Sequence, residues 1–325
     1  MSWRRIRRTL LAALVLAGLA FIGMSWLVAG TLVAPANHPV GPPPNGFQVE
    51  PVAIHSGSGS TLAAWFAPSN GATATVILLH PIRGDRLAML GRAELLRDAG
   101  YATLLVDLQG HGASPGKNIT AGFRERLDVV ATVDFARTKN PDHKIGIVGW
   151  SLGGAAALLA SPLDIDVIVL ESVYPTISEA VHNRVSMRLG PLSHVVAPAL
   201  LVQLKPRLGF SPSQLRPIDH IDAVGCPVLV ASGDCDLHTT LAETRRLYEA
   251  ALEPKSLVIF EGASHNDLLA YDRNKYQEIF AFLDSHLRHD GMENELANQV
   301  TEPSQATEPA AGSVLMKSTR LAPAR

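Results

Sequence analysis

The stretch GIVGWSLGGAAALL, residues 146 to 159, places a polar serine between a run of strand-forming residues and a run of small helix-forming residues. Ser151 is flanked by Gly149 and Gly153, which matches the pattern G-x-S-x-G. In that pattern the serine sits on a sharp turn between a strand and a helix, where its hydroxyl is free to attack a substrate. The junction therefore predicts a nucleophilic serine at position 151.

A second match to the same pattern lies at GASPG, residues 112 to 116. No strand directly precedes Ser114 and no helix directly follows it. The residue after a nucleophilic serine also donates its backbone N–H to the developing oxyanion, and Pro115 has no N–H. Leu152 can donate, so we favour Ser151 as the nucleophile and expect a structural role for Ser114. The alternative for Ser151 is a serine that merely caps the following helix.

From Phe47 onward, β-rich runs alternate with helical runs, which predicts an α/β fold with a mostly parallel eight-stranded sheet and helices on both faces. The first two strands are close enough for an antiparallel hairpin, whereas the later strands need crossovers and should be parallel. The expected strands span residues 47–55, 61–67, 75–80, 103–107, 144–150, 167–171, 228–233 and 256–262, and the expected helices span residues 87–99, 121–137, 152–159, 240–251 and 275–289.

Two late loops carry the residue types that a nucleophilic serine requires. A serine hydroxyl needs a histidine to take its proton and a carboxylate to orient that histidine. Asp234 and Asp236 follow strand 228–233, and His265 follows the last strand. Both loops lie at the C-terminal ends of strands, where such sheets bind their ligands. The order Ser151, Asp236, His265 is the serine, acid, histidine order of one hydrolase architecture.

Six stretches within residues 47–289 resemble the α/β-hydrolases, most closely the membrane-associated esterases with an α/β-hydrolase domain and the related serine aminopeptidase group. These stretches are ILLHPIRGDR, LLVDLQGHGASPG, GIVGWSLGG, LESVYP, PVLVASGDCDLHTT and EGASHND. The resemblance implies an α/β-hydrolase fold and a triad of Ser151, His265 and an acid. In such relatives the acid usually lies three residues after the loop glycine, which is Asp236 here. Asp234 is the nearby competitor, and Glu171 is a third candidate.

The resemblance also implies a second oxyanion donor, the backbone N–H of Ile82. The family usually has His-Gly just before this position, whereas this chain has His80-Pro81. Because proline fixes φ, this departure bears on the path of the oxyanion loop. We interpret His80 and His111 as residues that brace loops, and His238 as a residue at the rim of the site.

The N-terminal residues 1–34 predict a membrane anchor. Four arginines between residues 4 and 8 precede an apolar stretch from Leu10 to Ala34. About 20 apolar residues cross a bilayer as a helix, and the apolar part of a secretory signal is shorter, so we expect a retained single-pass helix. The arginines predict a cytoplasmic N-terminus and a catalytic domain on the extracytoplasmic side. Small residues near Ala36 leave cleavage and secretion as the alternative. The proline-rich residues 35–46 predict a stiff linker.

An insertion at residues 173–217 is too long for an ordinary crossover, and its prolines divide it into short segments. We expect a small helical cap over the serine, and its apolar composition favours acyl or aromatic groups. After residue 289 the sequence loses its periodicity and gains Glu, Gln, Pro, Ser and Ala, which predicts a disordered tail over residues 290–325.

These features predict a membrane-anchored serine hydrolase that cleaves small-molecule carboxylic esters. Lys and Arg total 28 against 30 acidic residues, a net charge of −2 that gives no reason to expect nucleic acid as a partner. The spacing of Cys and His resembles no zinc site, and acyl transfer by a triad needs no metal or organic cofactor. Thioesters and peptides or amides fit the same triad. A non-catalytic, membrane-tethered binding protein on the same fold is the alternative from another class.

Overall fold

The computed structural model describes residues 3–288, and its centre is an eight-stranded sheet in the order β1-β2-β4-β3-β5-β6-β7-β8. Strands β1 and β2 form an antiparallel hairpin, and β2 also runs antiparallel to β4. All other neighbours are parallel. The predicted mostly parallel sheet is therefore confirmed. The strands are β1 (Glu50–His55), β2 (Thr61–Ala67), β3 (Ala74–Leu79), β4 (Ala102–Val106), β5 (Lys144–Trp150), β6 (Val167–Glu171), β7 (Val228–Gly233) and β8 (Lys255–Phe260).

Helices cover both faces of the sheet because the side chains of each central strand alternate between two cores. On β3, Ile77 and Leu79 face one core, which includes residues of α3, α4 and α8. Val76 and Leu78 face the other, which includes residues of α2 and α10. The α-helices of the described chain are α1 (Trp3–Val33), α2 (Leu90–Asp98), α3 (Glu125–Lys139), α4 (Leu152–Ala160), α5 (Ile177–Leu189), α6 (Ser193–Leu201), α7 (Leu204–Leu208), α8 (Leu241–Ala250), α9 (Leu268–Tyr271) and α10 (Gln277–Leu287).

Some element boundaries differ from the prediction. The helix expected from residue 121 begins at Glu125, because Ala121 (φ 50°) and Gly122 (φ 96°) adopt left-handed conformations that a right-handed helix does not accept. The helix expected from residue 87 begins as a 3₁₀ turn over Arg86–Met89 before α2. The first strand begins at Glu50 rather than at residue 47. The last helix, expected over residues 275–289, spans Gln277–Leu287, because Arg288 is extended and ends it. The expected tail of residues 290–325 lies outside the described residues.

Helix α1 is long enough to cross a membrane, and an 18-residue window within it has a mean hydropathy of 2.3, so it could be a membrane anchor or a signal sequence. The segment after it does not extend freely into solvent. Ala36–Asn37 pairs in parallel with His111–Gly112 beside the main sheet. The backbone N–H of Ile119 donates to the carbonyl of Val33 over 2.9 Å. These contacts place the start of the linker on the surface of the domain.

The insertion between β6 and β7 contains α5, α6 and α7, and we refer to residues 173–217 as the cap. Gly190 and Pro191 interrupt the helical conformation between α5 and α6. Gly209 ends α7 in a left-handed conformation (φ 86°). The cap therefore consists of short helices, but its prolines do not mark all of the breaks, because Pro198 lies inside α6 and Pro206 inside α7. It lies between two strands whose C-terminal ends both belong to the candidate site described next.

Candidate active site

Ser151 occupies a strained turn between the end of β5 and the start of α4. Its φ of 49° and ψ of −106° are unusual for a residue with a side chain. Neighbouring glycines make the turn sterically possible, since a Cβ at Gly149 would overlap the backbone of Gly154 and a Cβ at Gly153 would overlap the carbonyl of Leu79. The glycines of the pattern thus let α4 approach the sheet closely, with Ser151 at the apex of the turn.

The strained turn is held by hydrogen bonds on both sides. The backbone N–H of Ser151 donates to the carbonyl of Glu171 on β6 over 2.8 Å, and the Ser151 carbonyl accepts from Ala155 over 2.9 Å. Leu152 is the first residue of α4, so its N–H has no acceptor within the helix. This N–H and the positive end of the helix dipole lie beside Ser151, which suits a developing negative charge.

Asp236 and His265 are directly hydrogen-bonded. The Nδ1 atom of His265 lies 2.7 Å from Oδ2 of Asp236, and the carboxylate is buried. The other oxygen, Oδ1, accepts from the backbone N–H groups of His238 and Thr239 over 2.7 and 2.9 Å. Burial alone would raise the pKa of Asp236, but the hydrogen bond and charge of His265 together with the two amides hold it below its ordinary value. Asp236 is therefore an ionised carboxylate that can orient His265.

All three candidate residues of the triad follow the C-terminal ends of parallel strands, on the same side of the sheet. Ser151 follows β5, Asp236 follows β7 and His265 follows β8. Contact is direct between Asp236 and His265. Within residues 3–288, no hydrogen bond joins the Ser151 hydroxyl to His265. Such hydrogen bonds are often loose in an unliganded enzyme and tighten when substrate binds.

The two competing acids have other partners. Asp234 is exposed, and its Oδ1 accepts the backbone N–H of Gly262 over 2.7 Å, which braces the turn. The carboxylate of Glu171 is buried against Arg92, with Nε 3.1 Å from Oε1, and it also accepts the hydroxyl of Tyr276. Of the three acids considered, Asp236 is the one in contact with His265.

The loop that carries Ile82, the second candidate oxyanion donor, is held by hydrogen bonds of the buried His80. His80 is buried; its Nδ1 lies 2.8 Å from the carbonyl of Pro81 and its Nε2 accepts the N–H of Leu108 over 3.0 Å. Burial lowers the pKa of His80 to about 3, so the ring is neutral. The turn closes where Gly84 donates to Pro81 over 3.0 Å. Pro81 is thus accommodated at the start of the turn, and Ile82 follows it on the exposed side.

Ser114, in the second G-x-S-x-G match, is a buried structural residue. Its hydroxyl donates to the carbonyl of Asp107 over 2.6 Å and accepts the N–H of Ala63 over 2.9 Å. The first hydrogen bond joins Ser114 to the start of its own loop, directly after β4, and the second ties the loop to the neighbouring strand β2. The Ser114 hydroxyl is therefore engaged in structural hydrogen bonds on both sides and is not available as a nucleophile.

His238, which we interpret from the sequence as a rim residue, is partly buried and lies against His265. Its ring lies 4.8 Å from the ring of His265, and its carbonyl accepts a hydrogen bond from Asn183 of the cap over 3.3 Å. Burial lowers the pKa of His238, and the positive charges of His265 and Arg184 lower it further. A histidine two residues after the acid is the only sequence signal for this contact. The contact between the two rings depends on how two separate loops meet, which the spacing does not specify.

Asp236, His238 and His265 form the cluster in the described chain that could hold a metal ion, with ligand atoms within 4.8 Å of one another. The Oδ2 atom of Asp236 already accepts the hydrogen bond of His265. A metal ion bound by all three residues would have to replace that hydrogen bond. The arrangement fits an oriented histidine better than a preformed metal site.

Comparison with known proteins gives consistent matches. Residues 76–275 match the family described as the alpha/beta hydrolase family. The chain is 28% identical over 239 residues to the uncharacterized protein YqkD of Bacillus subtilis, covering 71% of this chain and 78% of that protein. It is 30% identical over 241 residues to the uncharacterized protein Rv2307c of Mycobacterium tuberculosis, covering 70% of this chain and 77% of that protein.

Solved structures share the fold at lower sequence identity. The esterase Pf2001 of Pyrococcus furiosus superposes with a TM-score of 0.65 at 21% identity, covering 79% of this chain and 99% of that chain. A dienelactone hydrolase of Anabaena variabilis gives a TM-score of 0.53 at 22% identity, covering 74% and 99%. At these identities the likeness establishes the fold, and the chemistry depends on the residues of the site.

Proposed function

Because the chain belongs to the alpha/beta hydrolase family, we propose that it is a serine hydrolase that cleaves carboxylic esters through an acyl-enzyme intermediate. Family membership makes the chain a hydrolase, and the esterase among its structural neighbours favours ester substrates. The observation that carries the proposal is the contact between the buried Asp236 carboxylate and His265. Both residues follow the C-terminal ends of strands, as does the strained turn of Ser151.

The proposed reaction begins when the Ser151 oxygen attacks the ester carbonyl carbon. His265 accepts the serine proton, and Asp236 stabilises the imidazolium through the hydrogen bond to Nδ1. The backbone N–H groups of Leu152 and Ile82 bind the negative oxygen of the tetrahedral intermediate. The bond to the leaving alcohol then breaks, and His265 gives its proton to that alcohol.

The acyl-enzyme is resolved by water in the same geometry. His265 removes a proton from the water, whose oxygen attacks the acyl carbon, and the bond between Ser151 and the acyl group breaks. The serine oxygen recovers its proton from His265, which leaves a carboxylic acid as product. Every proton moves between the substrate, water and these side chains, so the proposed reaction requires no cofactor.

Two alternative functions make different demands on this site. A thioesterase or a peptidase and amidase would use the same residues, since the triad does not choose the leaving group. A membrane-tethered binding protein on the hydrolase fold would need none of them. The strained turn at Ser151 favours the enzyme, because backbone strain of this kind persists where the surrounding structure maintains it and clusters at functional sites.

The proposed location places the N-terminus in the cytoplasm and the hydrolase domain on the extracytoplasmic side, with α1 retained as an anchor. The four arginines before the apolar part of α1 support this orientation. Retention is favoured over cleavage near Ala36, because Ile119 donates to the carbonyl of Val33 and Arg83 donates to the carbonyl of Thr31. Cleavage would remove both acceptors from the domain.

The proposal predicts that Ser151→Ala abolishes ester hydrolysis by the purified full-length chain in detergent. We expect the rate with p-nitrophenyl butyrate to fall by at least about 10³-fold, because the triad acts as a unit. The matched control is Ser114→Ala, which alters the other G-x-S-x-G match and should keep the activity per folded molecule within about threefold. Retention of activity by Ser151→Ala within about tenfold of the wild type would overturn the proposal.

A further inference from the structure

The cap exposes apolar side chains that no described element covers. Although an 18-residue window within Ile177–Leu208 has a mean hydropathy of 1.4, the segment is broken into short helices and does not form one continuous span. The breaks leave backbone N–H and C=O groups that a single spanning helix would satisfy internally. The segment is therefore better suited to the surface of a membrane than to crossing it. The apolar side chains of the cap that are 45% or more exposed are Met187, Leu189, Leu192, Val195 and Val202.

Helix α1 packs directly against this part of the cap. The two residues of α1 that are buried are Ser25 and Ala29, and Gln203 donates to the Ser25 hydroxyl over 3.2 Å. The Arg207 guanidinium lies 3.8 Å over the ring of Trp26 and donates to its carbonyl. The cap thus lies beside the last third of the helix that could cross the bilayer.

The position along α1 matches the membrane interface. An α-helix rises about 1.5 Å per residue, so an apolar stretch that starts at Leu10 crosses about 30 Å of hydrocarbon by about Ala29. Trp26 and Arg207 meet near that level, and tryptophan and snorkelling arginine side chains are typical of the boundary between hydrocarbon and head groups. Gln203 and Arg207 of the cap therefore contact α1 at this level.

The charge of the cap also suits a phospholipid surface. Residues 173–217 contain five basic residues and one acidic residue; Arg216 pairs with Asp219 just after the cap, and Arg188 and Lys205 are exposed. Basic side chains at the rim of an apolar surface attract anionic head groups. An apolar surface with basic neighbours, continuous with a helix of membrane-spanning length, fits a lipid bilayer better than a second soluble protein.

The cap is also joined to the candidate active site. Asn183 of α5 donates to the carbonyl of His238 over 3.3 Å and to the carboxylate of Glu243 over 2.9 Å. His238 in turn donates its backbone N–H to Asp236. The element with the exposed apolar surface therefore borders the loop that carries the candidate acid.

We propose that the outer surface of α5, α6 and α7 lies in the interface of the membrane that α1 crosses, so that long-chain acyl esters enter the site from the bilayer. The membrane contact follows from the cap and α1 alone, whereas the substrate class rests on the proposed function. The bilayer supplies both the apolar contact and the substrate, which shortens the path from lipid to Ser151.

The membrane contact is tested on the full-length chain in nanodiscs of phosphatidylcholine and phosphatidylglycerol. Leu192→Cys, Val195→Cys and Val202→Cys are prepared one at a time in a Cys226→Ser, Cys235→Ser background and labelled with a nitrobenzoxadiazole fluorophore. Leu252→Cys is the matched control, because Leu252 is 57% exposed but lies before the N-terminal end of β8, whereas the candidate site lies at the C-terminal ends of the strands.

We expect doxyl-labelled phospholipid to quench the three cap fluorophores at least threefold more than the Leu252 control, and iodide in the buffer to show the reverse order. Equal quenching of cap and control fluorophores would overturn the membrane contact. Protection of the cap fluorophores from both quenchers would also overturn it, and would indicate a protein on this surface instead.

The substrate class is tested with charged variants of the same surface. In vesicles that contain 4-methylumbelliferyl palmitate, Val195→Glu and Val202→Glu should each lower hydrolysis at least fivefold. Hydrolysis of soluble p-nitrophenyl acetate should stay within twofold, and Leu252→Glu should change neither rate. An equal loss on both esters, or no loss on either, would overturn entry from the bilayer. If the wild type hydrolysed neither ester, the proposed function would fail while the quenching result would still decide the membrane contact.

Discussion

Ser151 has a strained backbone conformation, and the surrounding contacts explain why the strain persists. A residue with a side chain at φ 49° and ψ −106° costs on the order of 1–3 kcal/mol. The hydrogen bond from Ser151 to the Glu171 carbonyl and the close approach of Gly149 and Gly153 to their neighbours keep the turn in place. These contacts therefore hold the Ser151 turn in place without a ligand.

At the same scale, Asp236 should control the protonation chemistry of His265. Asp236→Asn is expected to lower kcat for ester hydrolysis by roughly 10³–10⁴-fold, because an amide cannot stabilise the imidazolium and can hold the wrong tautomer. KM should change much less, since Asp236 contacts His265 and not the substrate. Steady-state kinetics with a soluble p-nitrophenyl ester provide the measurement.

Asp234→Asn is the matched control, because it alters the other acid of the same loop. Asp234 is exposed and bonds the backbone of Gly262, so we expect a change of less than about threefold in kcat. A loss of similar size in both variants would show that the loop, rather than the carboxylate on His265, carries the effect.

The candidate residues are predictable to different degrees. Ser151 stands out because its flanking strand, helix and glycines are local in sequence. The choice between Asp236 and Asp234 rests on a resemblance, since both follow the same strand; in the structure one is buried beside His265 and the other is exposed. The contact of the His238 ring with the His265 ring is not predicted, because it depends on two loops that are distant in sequence.

At the scale of elements, the hydrophobic pattern predicts the eight strands because central strands of a parallel sheet are nearly continuous apolar runs. Helix ends are predicted less well, as the late start of α3 after Ala121 and Gly122 illustrates. Buried ion pairs are not predicted at all. Arg92 in α2 resembles a surface residue in the sequence, yet it is buried against Glu171 on β6 and lies 3.0 Å from Asp267.

The Arg92 guanidinium joins α2 to β6 inside the protein, so its loss should destabilise the fold strongly. Arg92→Met is expected to lower the free energy of unfolding by about 3–5 kcal/mol, because it leaves the Glu171 carboxylate buried without a positive partner. Urea denaturation of the full-length chain in detergent, followed by tryptophan fluorescence, gives the measurement. A loss below about 1 kcal/mol would contradict this assignment.

The double variant Arg92→Met, Glu171→Gln separates charge burial from packing. The amide side chain that Glu171→Gln introduces is uncharged and could still accept the hydroxyl of Tyr276. The double variant should therefore be more stable than Arg92→Met alone by more than about 1 kcal/mol. Simple addition of the two single losses would mean that the ion pair itself contributes nothing.

For the whole molecule, the N-terminal segment and the hydrolase domain form a more connected structure than the sequence suggests. The proline-rich residues 35–46 predict a spacer, but His38 contacts Asp85 over 2.8 Å in the turn after Ile82. Arg83 of the same turn donates to the carbonyls of Thr31 and Leu32 at the end of α1. Composition predicts that a linker is stiff, but its docking depends on the distant side chains that it meets.

Whether Ser151 is the nucleophile of a serine hydrolase can be decided with a fluorophosphonate probe on the full-length chain in detergent. We expect one covalent adduct, mapped by peptide mass spectrometry to Ser151, and no adduct in Ser151→Ala. Labelling that persists in Ser151→Ala, or that maps to Ser114, would contradict the assignment of Ser151.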